Sequence, residues 1–241
     1  MKIVEKIKAK QKSLINNAPV TVAFLGDSVT QGCFECYKNE AGSVDTVFDY
    51  SSAYSTRFRE IMAKLYPRVQ INVINSGISG DSAPSGLERL ERDVLAYKPD
   101  LVVVSYGLND SMGGMEGIER YRNALSMIFE RIISYGAEVV FLTQNYMNDY
   151  TSCHLGTDEA FVAVAERCAK VQKEGVLARY FDTARDVANK YGVRVCDVYR
   201  SWELLSAAGV NTTELLANKL NHPTRDMHLY VAIKLIEEIL K

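Results

Sequence analysis

Four short segments of this sequence combine glycine with hydroxyl, amide and imidazole side chains. They are Gly26-Asp27-Ser28, Asn75-Ser76-Gly77-Ile78-Ser79-Gly80-Asp81-Ser82, Gly107-Leu108-Asn109-Asp110 and Asn221-His222-Pro223-Thr224. A serine hydroxyl is a weak nucleophile until a base takes its proton, and N–H donors can stabilise the oxyanion that then develops. The segments therefore hold the parts of a site for nucleophilic catalysis.

The chain contains three histidines that could serve as the base, namely His154, His222 and His228. His222 is best placed, because Pro223 favours an extended backbone before it and suits the first turn of the helix that follows. His228 lies inside that helix, where a histidine is typically a surface or packing residue. His154 lies in a polar loop, where it could contact substrate but is more typically solvated. We predict His222 as the base.

Two serines compete as the nucleophile, because Gly-Asp-Ser occurs twice. Ser28 follows an apolar run directly, in a turn flanked by glycines, whereas Ser82 comes later and beyond two further glycines. A sharp turn at a strand end exposes a nucleophile better, which favours Ser28. Gly80 then suits an oxyanion role, because a glycine lets its N–H approach the developing charge. Asn109 offers a side-chain amide for the same oxygen.

Alternating strands and helices must position these segments. Apolar runs rich in β-branched residues predict strands at 20–25, 69–74, 101–104, 138–142 and 193–198. Helical spacing of apolar residues predicts helices over 52–65, 85–97, 118–134, 161–191 (two helices, broken near Gly175) and 225–240. Such alternation is typical of a parallel sheet covered on both faces, with ligands bound beyond the carboxyl ends of the strands. No linker is visible, so we predict one domain over 1–241, with a first helix at 1–18.

The composition excludes several classes of function. Lys and Arg number 28 against 30 Asp and Glu, a net charge of −2, which argues against a nucleic-acid partner. No run approaches the ~20 apolar residues of a membrane span, and no signal peptide is recognisable. We therefore expect a cytoplasmic protein. No phosphate loop, dinucleotide fingerprint or zinc-protease motif is present, and we expect neither a metal nor an organic cofactor.

Two further features leave alternatives open. The pair Cys33-Phe34-Glu35-Cys36 could be half of a metal or redox site, although the interpretation we prefer is two thiols in a loop. The first 14 residues carry five lysines among spaced apolar residues. They could lie on an anionic membrane surface, but we favour a first helix that packs on the body of the protein.

Taken together and in this order, the four segments resemble the four blocks of the SGNH subgroup of the GDSL esterase/lipase family. The resemblance implies Ser28 as nucleophile and His222 as base, with the N–H groups of Ser28 and Gly80 and the side chain of Asn109 as the oxyanion hole. It covers the chain from about residue 20 to the end. It also implies a three-layer, flavodoxin-like α/β/α sandwich, in agreement with a central parallel sheet of five strands.

One position departs from the family pattern. The family usually has an aspartate three residues before the histidine, where it orients the imidazole, and this sequence has Lys219 there. Asn218, Asn221, a backbone carbonyl or a remote carboxylate such as Asp226 could take over that role. A Ser–His dyad also retains part of the catalysis through the oxyanion hole and substrate binding.

The resemblance implies a serine esterase that works through an acyl-enzyme. The loop from Gln144 to Asp158 is polar and aromatic, which favours a carbohydrate or other small-molecule ester and a short acyl group such as acetyl. Three alternatives stay open: a lysophospholipase or thioesterase type of acylhydrolase, a ligand-binding protein without catalysis, and acyl transfer to a sugar acceptor.

Overall fold

Strands and helices alternate along the chain in this computed structural model, which describes residues 1–156 and 158–241. The strands are β1 (Val20–Gly26), β2 (Cys33–Lys38), β3 (Val44–Phe48), β4 (Ile71–Gly77), β5 (Leu101–Ser105), β6 (Glu138–Leu142) and β7 (Arg194–Cys196). The helices are α1 (Lys2–Lys12), α2 (Ser28–Gln31), α3 (Tyr54–Leu65), α4 (Ala83–Asp93), α5 (Leu108–Ser111), α6 (Ile118–Tyr135), α7 (Glu159–Lys173), α8 (Val176–Tyr191), α9 (Val198–Ala207) and α10 (Arg225–Leu240).

Within the described residues, five strands form one parallel sheet in the order β4-β1-β5-β6-β7. Helix α3 packs against α10, whereas α4 and α8 pack against α6, so two helical layers cover the sheet. This is the flavodoxin-like strand order, and it confirms the predicted three-layer α/β/α sandwich with a central parallel sheet. The order reverses at β1, which pairs with β4 on one side and β5 on the other. The loops after these three strands therefore meet at one place.

The central strands of the sheet explain why their sequences are continuously apolar. All five residues of β5 are buried, and β1 is buried at every position but one. A strand between two helical layers has no face in water, so polar alternation would leave polar groups unpaired in the core. The first polar residues after these strands stand at the rim of the sheet, where ligands bind in this class of fold.

The structure corrects the expectation for the Cys-x-x-Cys segment. Cys33 and Cys36 lie in β2, which pairs with β3 as an antiparallel hairpin, and not in a loop. The prediction failed because the pairing shifts register between the two cysteines and β3 is exposed or half-buried throughout, so neither strand shows clean alternation. Helix α9 was also not predicted, because the fifth apolar run ends at its first residue.

The first helix packs on the body of the protein, as favoured above. Ile3 and Ile7 are buried in the core. The backbone N–H groups of Lys2 and Ile3 donate to the Glu138 carboxylate at 2.8 and 2.7 Å, which satisfies donors at the start of α1. Among the described helices, none is both long and apolar enough to span a membrane. That residues 1–241 form one domain stays a prediction.

His228, on α10, is a fully buried packing residue. Its Nδ1 accepts the backbone N–H of Tyr54 at 3.1 Å, and its ring lies 4.7 Å from that of Phe34. Its Nε2 has no hydrogen-bond partner among the described residues. Burial lowers the pKa of His228 to about 3, so this imidazole is neutral in the folded protein.

We expect the variant His228→Gln to lose less stability in acid than the wild type. Folding lowers the pKa of His228 from 6.5 to about 3. Between these two pH values the unfolded chain therefore binds more protons at this residue than the folded protein does. The free energy of unfolding of the wild type therefore falls as the pH falls below about 6.5. Between pH 7 and 5 the glutamine variant should lose roughly 2 kcal/mol less than the wild type. Urea unfolding at pH 7, 6 and 5 measures this. The buried carboxyl groups Asp27 and Asp110 are present in both proteins, so their titration cancels in the comparison. Parallel pH profiles of the free energy of unfolding would contradict the prediction.

Candidate active site

Ser28 is the first residue of the short helix α2, and only Asp27 separates it from the end of β1. The Asp27 carboxylate caps α2 by accepting the Val29 N–H at 3.0 Å, and the Gln144 amide donates to both Asp27 oxygens at 2.9 and 2.8 Å. Burial raises the pKa of Asp27 to about 7, while these hydrogen bonds oppose the rise. The hydrogen bonds of Asp27 thus hold the backbone at the end of β1 in place. Ser28 is 5% exposed at the rim of the sheet.

Gly26 makes the turn tight enough. A Cβ atom at this position would lie 2.1 Å from Thr30 Oγ1 and 2.7 Å from the backbone oxygen of Ser105. Both distances are far below van der Waals contact, and the second involves backbone that cannot rotate away. The glycine of Gly-Asp-Ser is therefore required for β1, β5 and the nucleophile turn to approach each other.

His222 lies against Ser28 in the geometry of a base beside a nucleophile. Its Nε2 is 3.0 Å from Ser28 Oγ, and its Nδ1 is 2.9 Å from the backbone oxygen of Phe34. A carbonyl oxygen can only accept, so Nδ1 carries the proton and the Nε2 lone pair faces the serine hydroxyl. Burial lowers the pKa of His222, while the bond to Phe34 and the charge of Glu35 raise it. The imidazole is thus ready to accept the serine proton.

Asn218 shapes the loop that carries His222. Its side-chain oxygen accepts the backbone N–H groups of Leu220, Asn221 and His222 at 3.0, 2.9 and 2.9 Å. Lys219 occupies a left-handed conformation with φ of 56°, and its ammonium lies 2.8 Å from the Glu214 carboxylate. Of the alternatives raised above, a backbone carbonyl contacts the ring, and Asn218 acts one step away by holding the backbone.

The loop after β4 presents Gly80 to the nucleophile turn. The Ile78 N–H donates to the Gly26 oxygen at 3.1 Å, and the Ser79 N–H donates to the Gln31 side chain at 2.7 Å. Gly80 has a φ of +80°, a conformation that strains residues with a Cβ. In the described part of the chain, the backbone N–H groups of Ser28 and Gly80 donate to no protein acceptor. Both remain free to bind an oxyanion.

Asn109 is tied to the same loop. Its side-chain amide donates one hydrogen to the Asp81 backbone oxygen at 2.8 Å, which leaves its second hydrogen for another acceptor. Next to it, the Asp110 carboxylate accepts the Ala83 N–H at 3.0 Å, and burial raises the Asp110 pKa to about 7. The loops after β4 and β5 are therefore locked to each other.

A buried ion pair fixes these loops from inside. The Arg89 guanidinium donates to the Asp81 carboxylate at 2.5 and 2.9 Å and to the backbone oxygens of Ser76 and Gly26 at 2.7 and 3.1 Å. The Tyr106 hydroxyl donates to the same carboxylate at 2.7 Å. One arginine thus joins the carboxyl ends of β1 and β4 to the oxyanion loop.

Two other residues named from the sequence, Ser82 and His154, make no hydrogen bond to Ser28 or His222 in the described part of the chain. Ser82 precedes α4, and its hydroxyl pairs with that of Ser85 at 3.3 Å. His154 is exposed, and its N–H bonds to Ser152 Oγ at 3.3 Å. Among the described residues, no group of three or more His, Cys, Asp or Glu is placed to hold a metal ion.

Several contributors escaped sequence reasoning. The Phe34 carbonyl has no side-chain signature at all, and Gln144 and Arg89 act from other loops and helices. A buried Arg in a helix beside a strand-end aspartate is the one signal that could have pointed to the ion pair, because buried charges need partners.

We expect Arg89→Met to destabilise the protein strongly. It would leave the Asp81 carboxylate buried with the Tyr106 hydroxyl and no cation, a change that costs roughly 3–5 kcal/mol when one partner of a buried pair is removed. The double variant Asp81→Asn/Arg89→Met should recover part of that loss, because the pair no longer leaves a buried charge behind, although the backbone oxygens of Ser76 and Gly26 still lose their donor. Urea unfolding of the single and double variants measures this. Equal loss in both would mean that the packing of the arginine and its hydrogen bonds to backbone oxygens matter, and not the pairing of its charge with Asp81.

Known proteins resemble this chain in the same region. The model of the GDSL-like lipase/acylhydrolase family matches residues 24–229. An acetylxylan esterase of Geobacillus stearothermophilus is 34% identical over 87 residues, which is 36% of this chain and 38% of the esterase. The esterase TesA of Pseudomonas aeruginosa is 31% identical over 110 residues, which is 46% of this chain and 53% of TesA. Each match thus spans less than two thirds of the relative.

Solved structures extend the likeness over nearly the whole chain. The crystal structure of an acetylxylan esterase from Geobacillus stearothermophilus has a TM-score of 0.66 and 19% identity, covering 91% of this chain and 94% of that one. A two-domain esterase active on acetylated mannans has a TM-score of 0.67 and 17% identity, covering 98% of this chain and 52% of that one. At such identities the likeness shows a shared fold.

Proposed function

Because the chain belongs to the GDSL-like lipase/acylhydrolase family, we propose that it is a serine esterase that removes acetyl groups from a carbohydrate. The observation that carries the proposal is the contact of Ser28 Oγ with His222 Nε2 at 3.0 Å, with the proton of the imidazole held on Nδ1. The family supplies the class of reaction, and this contact supplies the pair of residues.

The reaction proceeds through an acyl-enzyme. Ser28 Oγ attacks the acetyl carbonyl while His222 Nε2 takes the hydroxyl proton. The tetrahedral intermediate collapses with cleavage of the ester bond, and His222 gives its proton to the leaving alcohol of the sugar. Water then attacks the acetyl-serine with the same histidine as base, and acetate and free Ser28 are regenerated.

The negative charge of each tetrahedral intermediate forms beside three donors. These are the backbone N–H groups of Ser28 and Gly80 and the remaining hydrogen of the Asn109 amide. They are fixed before substrate binds, because Gly80 and Asn109 are tied to the Ser28 turn by the loop contacts described above. Preorganised donors lower the barrier without reorganising during the reaction.

A near-neutral protein with an uncharged acyl substrate needs no basic cluster at the site, in keeping with the net charge of −2. The two acetylxylan and acetyl-mannan esterases that share the fold support acetyl as the acyl group and a sugar as the alcohol. The polar and aromatic residues of the loop after β6 are weaker support for a sugar substrate than the sequence alone suggested. Tyr146 packs on Tyr199, and Asn145 and Asn148 are buried and donate to backbone oxygens.

Exposed aromatic rings on the hairpin side of the site support a sugar more directly. Phe48 and Tyr50 are 44% and 56% exposed, and their rings lie 24° from parallel with centroids 6.2 Å apart. At that separation the two rings form an offset stack, which leaves much of each ring face exposed to solvent. The Gln31 amide lies 3.5 Å from the Tyr50 hydroxyl and bonds through its oxygen to Ser79, next to Gly80. A sugar ring offers C–H groups to such faces.

Labelling with a fluorophosphonate probe tests the nucleophile. We expect the wild type and Ser82→Ala to be labelled and to hydrolyse an acetyl ester, and Ser28→Ala to lose both properties, because His222 contacts the Ser28 hydroxyl whereas the Ser82 hydroxyl pairs with that of Ser85. Mass spectrometry of the labelled peptide and an acetate-release assay measure this. If the wild type binds acetylated sugars but is not labelled, the protein is a binding protein and not an esterase. If activity is lost only in Ser82→Ala, the nucleophile is Ser82 and not Ser28.

The substrate class is tested with a series of esters and one pair of tyrosine variants. We expect acetyl esters to be preferred over octanoyl esters, and Tyr50→Ala to raise KM for an acetylated oligosaccharide by about threefold to tenfold, as loss of one aromatic contact does. KM for a small aryl acetate should not change. Tyr97→Ala is the matched control, since Tyr97 is 55% exposed in the turn before β5, at the end of the strands opposite to the site.

Three results would revise the substrate assignment. A preference for octanoyl esters would favour a lysophospholipase or thioesterase type. Equal effects of Tyr50→Ala on both substrates would remove the ring from sugar binding. Acetylated acceptor in place of free acetate, when a sugar is added, would indicate acyl transfer.

A further inference from the structure

Among the residues that the structure describes, the imidazole of His222 has no hydrogen bond to the charged partner that a catalytic histidine usually has. Lys219 stands where the family has its aspartate and turns towards Glu214, while Nδ1 bonds to the Phe34 carbonyl. A carbonyl fixes the tautomer and the direction of the ring. It has no net charge, however, with which to stabilise the imidazolium that forms when Ser28 loses its proton.

A cluster of three charges lies at the peptide that supplies this carbonyl. Arg225 donates to both oxygens of Glu35, the residue after Phe34, at 2.6 and 3.1 Å, and its Nε donates to Asp49 at 2.8 Å. The guanidinium also lies 4.3 Å from the centre of the Phe34 ring. Two carboxylates and one guanidinium give the cluster a net charge of −1.

Both carboxylates of the cluster stay ionised over the working pH range. The bonds from Arg225 lower the pKa of Glu35, and bonds from Ser51 and then Arg225 hold the pKa of Asp49 below its usual range. The bidentate pair also restricts the backbone at residues 34 and 35, because Arg225 binds the Glu35 carboxylate and packs over the Phe34 ring.

We propose that Glu35, Asp49 and Arg225 together replace the missing triad carboxylate. Arg225 holds the peptide whose carbonyl orients His222, and the net negative charge of the cluster stabilises the imidazolium across that peptide. These are positioning residues and do not touch the reacting atoms. The inference rests on the proposed role of His222 as the base for Ser28.

The other groups around His222 do not offer this charge. On α10, His228 is buried and neutral, and Asp226 is exposed to water. On β2, burial raises the pKa of the Cys36 thiol, which keeps it neutral. In the loop before His222, Lys219 and Glu214 form a pair of opposite charges. On the nucleophile turn, Asp27 faces Gln144.

Titration of His222 by NMR, with labelled histidine in the Ser28→Ala protein, tests the proposal without relying on turnover. We expect Glu35→Gln to lower the His222 pKa by about 0.5, the effect of one partly screened charge at short range. Arg225→Met should raise it, because it removes the cation but keeps an apolar side chain over Phe34. Asp49→Asn should act like Glu35→Gln but more weakly.

Two controls separate electrostatics from structural damage. The pKa difference between the parent and Glu35→Gln should shrink in 1 M salt, because screening acts on partly exposed charges. Glu119→Gln removes a carboxylate that also pairs with an arginine, on α6 and far from the hairpin, and should leave the His222 pKa unchanged. In the protein with Ser28 intact, Glu35→Gln should lower kcat for the acetyl ester about threefold, the equivalent of that pKa change.

An unchanged His222 pKa in Glu35→Gln, or shifts of the same sign in Glu35→Gln and Arg225→Met, would overturn the electrostatic role of the cluster. A protein without esterase activity whose His222 still titrates as expected would overturn the proposed function and would leave only the electrostatic effect of the cluster on His222 standing. If Arg225→Met does not fold, the sign and salt dependence of the Glu35→Gln shift decide.

Discussion

The hydrogen bond from His222 Nδ1 to the Phe34 carbonyl is the contact on which the rest of the site depends. It puts the proton on Nδ1, and only then does Nε2 present a lone pair to Ser28 Oγ at 3.0 Å. With the other tautomer, Nε2 would carry the hydrogen and could not take the serine proton. The hairpin, its ion pairs with Arg225 and the Asn218 loop all serve to keep the two partners of this bond in place.

The predictable part of the fold follows from burial. Strands between two helical layers must be apolar throughout, so β1, β5 and β6 stand out in the sequence, and their carboxyl ends identify the site. Ser28, Gly80 and Asn109 follow three strands that are neighbours in the sheet, which is why their positions in the chain pointed to this rim, although their roles were assigned from the resemblance. The hairpin lacked that signal, because its residues are partly exposed and its register shifts between Cys33 and Cys36.

The orienting group of His222 could not be predicted, for a different reason. Every residue except proline carries the same backbone N–H and C=O groups, so a carbonyl that orients a histidine leaves no trace in the choice of side chain. Phe34 and His222 are also 188 positions apart, so nothing local links them. Sequence comparison could show that the usual aspartate is replaced by Lys219, but only the folded chain shows what stands in its place. Asn218, which looked like a candidate for contact with the ring, instead uses its oxygen on three backbone N–H groups.

The charges of the site are distributed unequally, and the inequality matches the reaction. In the proposed reaction, attack by Ser28 creates a positive charge on His222 and a negative charge between Ser28, Gly80 and Asn109. On the oxyanion side, the negative charge of Asp81 is balanced by Arg89, and burial raises the pKa of Asp27 and Asp110 to about 7, which reduces their charge. On the imidazole side, Glu35 and Asp49 outnumber Arg225 by one charge. These charges therefore offset part of the cost that burial imposes on a cation at His222, and they leave room for an anion across Ser28. In such a field, part of the work of a triad carboxylate can be done by groups that never touch the imidazole.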